Sequence, residues 1–137
     1  MELQFSKQVR HSAALRAAYN ALTQETYGFS FEPWYQAGYW GDAHVPYTLF
    51  DGGRAVSNVS VNRMELLLDG QARSCVQLGT VMTAPAYRGR GLSRRLMEAV
   101  LAECAGETVF LFANESVLEF YPRFGFQKKA QVRFSMD

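Results

Sequence analysis

Residues Gly79 to Val100 read GTVMTAPAYRGRGLSRRLMEAV and carry the clearest structural signal of the chain. The first five of them have the β-branched character of a strand, and the apolar positions after Gly91 recur at the spacing of a helix. Gly89 and Gly91 lie in the loop between them, where glycine lets the backbone approach a ligand closely. Because unpaired amides and the dipole of a helix N-terminus attract anions, this segment predicts a loop that binds a pyrophosphate.

Two common phosphate-binding motifs do not account for the loop. The chain has no G-x-x-x-x-G-K-[ST] run, and G-x-G-x-x-G fails because Arg94 stands at the third glycine position. The loop also follows antiparallel strands, whereas a dinucleotide-binding fingerprint follows the first strand of a βαβ unit. An ordinary strand-to-helix turn is the alternative, and the arginines beside the loop form either a charged rim or a solvated face: Arg88, Arg90, Arg94 and Arg95.

Hydrophobic periodicity and turn residues predict the other elements. A helix at 7–26 and a short second helix within 29–40 precede four antiparallel strands at 47–50, 54–62, 64–68 and 72–83. The sequence Asp51-Gly52-Gly53 predicts the first hairpin turn, and Asp69-Gly70 predicts another. A helix at 92–104, a buried strand at 109–113, a short helix at 116–121 and a strand at 126–136 follow. The order predicts a single domain of the α/β (α+β) class.

Composition excludes several classes of protein. Of 137 residues 48% are hydrophobic and 20% charged, which is typical of a globular domain, and the net charge of +1 argues against nucleic acid as a partner. No apolar run approaches the length of a membrane span, so we expect a cytoplasmic protein without a membrane partner. The spacing of Cys75 and Cys104 and of the two histidines predicts neither a disulfide nor a metal site.

The loop sequence resembles the acyl-CoA motif [QR]-x-x-G-x-[GA] of the GNAT (Gcn5-related) N-acetyltransferases. Residues Arg88 to Ser93 match it at every position but the last, where Ser93 replaces glycine or alanine. The segment from Asn114 to Phe126 is similar to the family's N-x-x-x-x-x-F-Y-x-x-x-G-F pattern. The order of elements also agrees, so the resemblance covers nearly all of residues 1–137.

The resemblance implies a mixed, mostly antiparallel central sheet, splayed at the fourth and fifth strands, with helices on both faces. The splay, between residues 81–83 and 110–113, would admit the pantetheine arm of acetyl-CoA. The Val81 amide would polarise the thioester, and Tyr121 would donate a proton to the departing thiolate. The remaining residues implied to bind the cofactor are Met82, Thr83, Arg88, Gly89, Arg90, Gly91, Leu92, Ser93 and Asn114.

The implied reaction transfers an acetyl group from acetyl-CoA, without a metal, to the amine of a small molecule or peptide by direct attack in a ternary complex. A non-catalytic CoA-binding regulatory or interaction module is the alternative, and a site for another phosphorylated ligand is a third. Candidates for the base, by residue type only, are Glu25, His44, Asp51 and Glu65. A water chain along Asn58, Ser60 and Asn62 is another candidate.

Two further regions have open interpretations. The aromatic segment from Tyr27 to Trp40 either packs as core or shapes the acceptor pocket. After Phe126 the residues up to Asp137 leave no room for the seventh strand of the family. Either the chain is the N-terminal part of a longer protein, or a second subunit of a homodimer or a C-terminal domain covers the bare sheet edge.

Overall fold

A single sheet of five strands organises the computed structural model, which describes residues 2–111. The strands are β1 (Gln4–Ser6), β2 (His44–Asp51), β3 (Arg54–Leu68), β4 (Gln71–Thr83) and β5 (Thr108–Leu111). They lie in the order of the chain, with β1 to β4 antiparallel and β5 parallel to β4. The prediction of a mixed, mostly antiparallel sheet is confirmed.

Residues 2–111 contain three helices beside this sheet. They are α1 (Ala13–Tyr27), α2 (Glu32–Gln36) and α3 (Leu92–Glu103), and short 3-10 turns occupy Val9–His11 and Pro85–Tyr87. The predicted stripe of α3 is buried against a cluster that includes Val59 and Val61 of β3. The inner face of α1, with Tyr19 and Leu22, belongs to a second cluster around Phe50. The two clusters place helices on both faces of the sheet.

Several predicted boundaries were wrong. Residues 54–62 and 64–68 are one strand, β3, and the predicted start of the first helix at residue 7 is wrong, because a 3-10 turn at Val9–His11 precedes the helix. Helix α1 begins at Ala13, where Ser12 Oγ accepts a hydrogen bond from the Leu15 amide at 3.2 Å. Helix α2 has five residues and carries Pro33 in its first turn, which agrees with the short helix predicted within residues 29–40. The helix at 116–121, the strand at 126–136 and the end of the strand at 109–113 lie outside the described residues.

A bulge in β3 changes which of its side chains share a face. In β3 the pairing with β2 shifts between Leu49 and Phe50, so that Val56 is an extra residue. The sequence pattern put Ala55 on the face of Val59 and put Val56 on the opposite one. The structure reverses both, because Val56 joins the cluster under α3 and Ala55 the cluster under α1. Asn58 and Ser60 remain on a polar face, as predicted.

Candidate active site

The loop before α3 holds its glycines in the left-handed conformation. Gly89 has a φ of 79° and Gly91, the N-cap of α3, a φ of 73°. The first backbone hydrogen bond of α3 runs from the Arg95 amide to the Gly91 carbonyl at 3.0 Å. The preceding amides, those of residues 92–94, therefore have no acceptor within the helix. A Cβ at either glycine would meet no atom of residues 2–111 within 4 Å, so this part of the chain leaves the space beside the loop open to a ligand.

Ser93 departs from the family's motif, and its side chain turns toward the sheet. Its Oγ lies 2.7 Å from Thr83 Oγ1, which lies 2.8 Å from Ser57 Oγ. These three hydroxyl groups join the first turn of α3 to the ends of β3 and β4. The hydroxyl of Ser93 is therefore engaged with the protein, and the amide of Ser93 remains in the first turn beside the open loop.

Arginine side chains brace the loop at its rim. Arg88 Nε donates to the Thr83 carbonyl at 3.2 Å, and the Arg90 guanidinium donates to the Ala86 carbonyl at 3.3 Å. Arg94 is exposed and lies 3.8 Å from Glu98, one helical turn away. The rim is positively charged, and Arg94 belongs in part to a solvated helix face.

Strand β4 is bulged just before this loop. Ser60 pairs with Gly79 and Asn58 with Met82, which leaves Thr80 and Val81 opposite the single residue between them in β3. Thr80 accordingly adopts a φ of 41°, unusual for a β-branched residue. The Val81 carbonyl accepts a hydrogen bond from the Tyr27 hydroxyl at 2.9 Å. Since a bulge interrupts the ladder, it redirects the peptide groups around Val81.

A buried polar network lies behind the bulge. Asn58, fully buried, donates through Nδ2 to Ser60 Oγ at 2.9 Å and to the Thr80 carbonyl at 2.9 Å. Its Oδ1 accepts from Thr48 Oγ1 at 2.7 Å. The Tyr19 hydroxyl lies 3.2 Å from Thr80 Oγ1 and 3.3 Å from Ser60 Oγ. Burial raises the pKa of Tyr19 to about 12, so this phenol stays protonated at neutral pH.

The imidazole of His44, at the start of β2, connects to the same network. Its Nε2 lies 3.3 Å from the Tyr19 hydroxyl, and its Nδ1 lies 2.5 Å from Asn62 Oδ1. Asn62 Nδ2 in turn donates to the Gln77 carbonyl at 3.4 Å, which assigns Oδ1 as the atom facing the imidazole. Nδ1 therefore carries the proton in the neutral ring, and Nε2 is the acceptor. Burial lowers the pKa of His44, although the hydrogen bond with Asn62 opposes this shift.

A cavity of about 410 Å³ opens beside His44 and the bulge. The Trp34 ring packs edge-on against His44 at 5.5 Å and stacks on Trp40 at 6.0 Å, and the Phe31 ring lies 5.1 Å from His44. None of the described side chains that line the cavity carries a formal charge. They are Phe29, Phe31, Trp34, His44, Asn62, Gln77, Gly79 and Thr80. The aromatic segment thus contributes both to the core, through Trp40, and to this cavity.

Three of the four candidate bases lie away from the cavity. Glu25 forms an ion pair with Arg54 at 3.9 Å, and Asp51 accepts from the Tyr87 hydroxyl at 2.5 Å. Glu65 is exposed on the β3–β4 hairpin. His44 alone among the four lines the cavity.

The remaining sequence predictions concern two site residues of the C-terminal segment, the two cysteines, and metal or membrane-spanning sites. Asn114 and Tyr121 lie outside the described residues. Cys75 and Cys104 are buried free thiols, and burial raises the pKa of Cys104. Within residues 2–111 no three His, Cys, Asp or Glu side chains are grouped to hold a metal ion, and no helix of that range is long and apolar enough to cross a membrane.

Comparisons with known proteins agree with this architecture. A family model described as an acetyltransferase (GNAT) domain matches residues 10–128, and the chain therefore belongs to the GNAT acetyltransferase family. A search of curated proteins gives no match.

Solved structures share the fold at low sequence identity. Glucosamine-6-phosphate N-acetyltransferase from Arabidopsis thaliana is 18% identical, with a TM-score of 0.75 and complete coverage of both chains. A predicted acetyltransferase from Clostridium acetobutylicum, solved with acetyl-CoA, is 11% identical, with a TM-score of 0.75 and coverage of 98% of this chain and 96% of its own. An aminoglycoside acetyltransferase from an uncultured soil metagenomic sample is 19% identical, with a TM-score of 0.66 and coverage of 100% and 99%.

Proposed function

We propose that this protein transfers the acetyl group of acetyl-CoA to a primary amine by direct attack of the amine on the thioester. The observation that carries this proposal is the continuous segment from the bulge at Thr80 and Val81 to the N-cap Gly91. It combines a redirected strand peptide with a glycine loop and a helix N-terminus open to a ligand. Membership of the GNAT family and the acetyl-CoA present in one solved neighbour support the same cofactor.

Each part of the segment has a distinct task in this proposal. The amides of residues 88–93 hold the pyrophosphate, aided by the α3 dipole and the arginine rim. The main chain of residues 81–83 holds the pantetheine arm. The Val81 amide donates to the thioester oxygen as it becomes an oxyanion, which lowers the barrier for attack. The side chain of Asn114 would contact the pantetheine arm, and Tyr121 would protonate the departing thiolate.

The cavity beside the bulge is our proposed acceptor site. Its described walls are aromatic or neutral, which favours a primary amine attached to a flat apolar body. The faces of the aromatic rings also attract an ammonium group before it is deprotonated. A sugar phosphate or a polycationic aminoglycoside would need charged partners, and none is present among the described residues of the cavity wall.

Calorimetry and turnover together test the proposal. Isothermal titration should show acetyl-CoA binding to the purified chain, and free thiol should appear when benzylamine, 2-phenylethylamine or tryptamine is added. Binding of acetyl-CoA without turnover of any amine would support the CoA-binding module instead. A folded protein that binds no acetyl-CoA would contradict both readings.

A further inference from the structure

A chain of hydroxyl groups leads from the cavity to an imidazole nitrogen. Thr80, in the cavity wall, donates through Oγ1 to Ser60 Oγ at 2.6 Å. Ser60 Oγ lies 3.3 Å from the Tyr19 hydroxyl, which lies 3.3 Å from His44 Nε2. Ser60 and Tyr19 are both fully buried, so this path is closed to bulk water along most of its length.

Asn58 fixes the direction in which these hydrogen bonds run. One hydrogen of its Nδ2 is donated to Ser60 Oγ at 2.9 Å, and the other is shared between the Thr80 carbonyl at 2.9 Å and Thr80 Oγ1 at 3.2 Å. Each hydroxyl has one proton to donate and two lone pairs. Ser60 accepts from Asn58 and Thr80 and so has its own proton left for Tyr19, which donates to His44. Every donor points toward His44 Nε2, and one lone pair of Thr80 Oγ1 remains for a group in the cavity.

We propose that His44 is the terminal proton acceptor of the acetyl transfer and is reached from the amine through Thr80, Ser60 and Tyr19. This inference rests on the proposed function. The single lone pair of Nε2 already accepts from Tyr19, so a proton arrives through the phenol rather than directly from the amine. Asn62 is a positioning residue, because its Oδ1 holds the proton on Nδ1 and leaves Nε2 unprotonated.

The relay balances one proton for each transfer. As the amine nitrogen bonds to the acetyl carbon, the nitrogen becomes acidic and gives its proton to Thr80 Oγ1. Each hydroxyl passes on its own proton, and the last one bonds to His44 Nε2. The carbon–sulfur bond then breaks, and CoA leaves as a thiolate that takes up a proton. The imidazolium returns its proton to solvent, so amine and acetyl-CoA give amide and CoA thiol.

The surroundings of His44 keep it neutral at rest and able to accept this proton. Tyr19, from α1, is the titratable side chain hydrogen-bonded to it. The neighbours from α2, β3 and β4 in the cavity wall are uncharged: Trp34, Asn62, Gln77 and Thr80. Arg16 of α1 and Glu32 of α2 neutralise each other in an ion pair at 3.3 Å. Burial lowers the pKa of His44, so the free base is the main form at neutral pH.

The first test is the pH profile of kcat/KM with 2-phenylethylamine, calculated on the concentration of neutral amine. The wild type should show an ascending limb below about pH 6.5, the ordinary histidine value. His44→Gln should abolish the limb and lower kcat/KM by about a hundredfold to ten-thousandfold. The matched control is His11→Gln, which removes the other histidine, an exposed one, and should change neither.

Two further variants probe the path and the positioning residue. Tyr19→Phe should lower kcat about as much as His44→Gln, and the double variant should be no slower than either one, because both interrupt the same chain. Asn62→Asp places a carboxylate against Nδ1 and should move the limb upward by about one to three pH units. If the losses of kcat in Tyr19→Phe and His44→Gln add up in the double variant, the relay is overturned. It is also overturned if Asn62→Asp leaves the ascending limb of the pH profile at its wild-type pH. The affinity for acetyl-CoA, measured by titration, should be unchanged in Tyr19→Phe, His44→Gln and Asn62→Asp.

Nitrogen NMR of the histidine rings provides a readout that needs no turnover. The neutral His44 ring should carry its proton on Nδ1, and a spectrum showing the proton on Nε2 would overturn the relay. Turnover that His44→Gln leaves unaffected would overturn the relay while leaving the acetyltransferase proposal intact. Acetyl-CoA binding without turnover of any amine would overturn both.

Discussion

Ser93 Oγ and Thr83 Oγ1 lie 2.7 Å apart, so that the first turn of α3 is tied to the last residue of β4. The bond spans the loop proposed to hold the pyrophosphate. It explains how serine is accommodated where the family's motif has glycine or alanine: the side chain turns away from the space in front of the amides.

Ser93→Ala tests this explanation. Loss of one partly buried hydrogen bond should lower the free energy of unfolding by about 1 kcal/mol, measured by urea denaturation. The dissociation constant for acetyl-CoA should change by about threefold or less, since the amide of residue 93 is retained. Ser74→Ala, at an exposed position of the β3–β4 hairpin, is the control and should alter neither quantity. A far larger loss of affinity would place the hydroxyl at the ligand instead.

Gly91→Trp should abolish acetyl-CoA binding. The indole would fill the open space at the N-cap of α3, and calorimetry should show at least about a hundredfold loss of affinity. Gly106→Trp is the matched control, because Gly106 also has a positive φ, 86°, and a Cβ there would also meet no atom of the described residues within 4 Å. Both substitutions carry a strain of about 1 to 2 kcal/mol, so only a ligand at Gly91 separates them. Equal affinities in the two variants would contradict the proposed loop function.

Trp34→Ala should weaken binding of the acceptor amine and leave binding of acetyl-CoA unchanged. Removing this wall of the cavity should raise KM for 2-phenylethylamine about tenfold, equivalent to about 1.4 kcal/mol of ring contact. The dissociation constant for acetyl-CoA should not change. Tyr39→Ala, whose ring is 72% exposed, serves as the control and should leave KM as it is. An unchanged KM in Trp34→Ala would show that the amine binds elsewhere.

Asn58→Leu should destabilise the protein strongly. Asn58 is fully buried, and the substitution leaves Thr48 and Ser60 without a shared partner, at a cost of about 2 to 4 kcal/mol in the free energy of unfolding. Gln24→Leu, on the exposed side of α1, should change this energy by about 0.5 kcal/mol or less. Equal urea midpoints for the two variants would mean that the network adds nothing to stability.

The stability of the protein should also depend on His44 in mild acid. Burial lowers the pKa of His44 in the folded state, so the unfolded chain binds the proton more readily below about pH 6.5. The stability that the protein gains from a neutral, buried His44 is therefore complete above that pH. It is lost as the pH falls toward the pKa of His44 in the folded state. Urea midpoints at several pH values should show this decline in the wild type and in His11→Gln, and a smaller one in His44→Gln. Equal declines of the urea midpoint in the wild type, His11→Gln and His44→Gln would mean that groups other than His44 cause the pH dependence.

Local patterns in the sequence predicted those parts of the fold that depend on neighbouring residues. The apolar stripe of α3 and the Asp69-Gly70 turn were correct because spacing and turn chemistry determine them. Strand β1 was missed because three residues show no periodicity, and its pairing with β2 joins residues that are 42 to 46 positions apart. The single strand β3 was missed because its long polar face resembled an interruption.

The candidate site also has one part that the local sequence predicted and another that depends on distant residues. The glycine loop was predicted because its chemistry lies within one short segment. His44 was a candidate by residue type only, since its contacts come from distant positions: Tyr19 is 25 residues away in the chain, and Tyr19 and Thr80 are 61 apart. No local signal in the sequence connects these three side chains.

The extra residue in β4 makes this strand sensitive to changes in length. Deleting Thr80 would restore an unbroken ladder with β3 and turn the following side chains to the opposite faces of the sheet. Thr83 would then point away from Ser93, and the loop would leave the strand at a different angle. The Asp69-Gly70 turn, exposed at the far end of the same hairpin, lacks this constraint. Peptide tags and loop libraries are therefore best inserted at that turn, with residues 79–83 kept at their natural length.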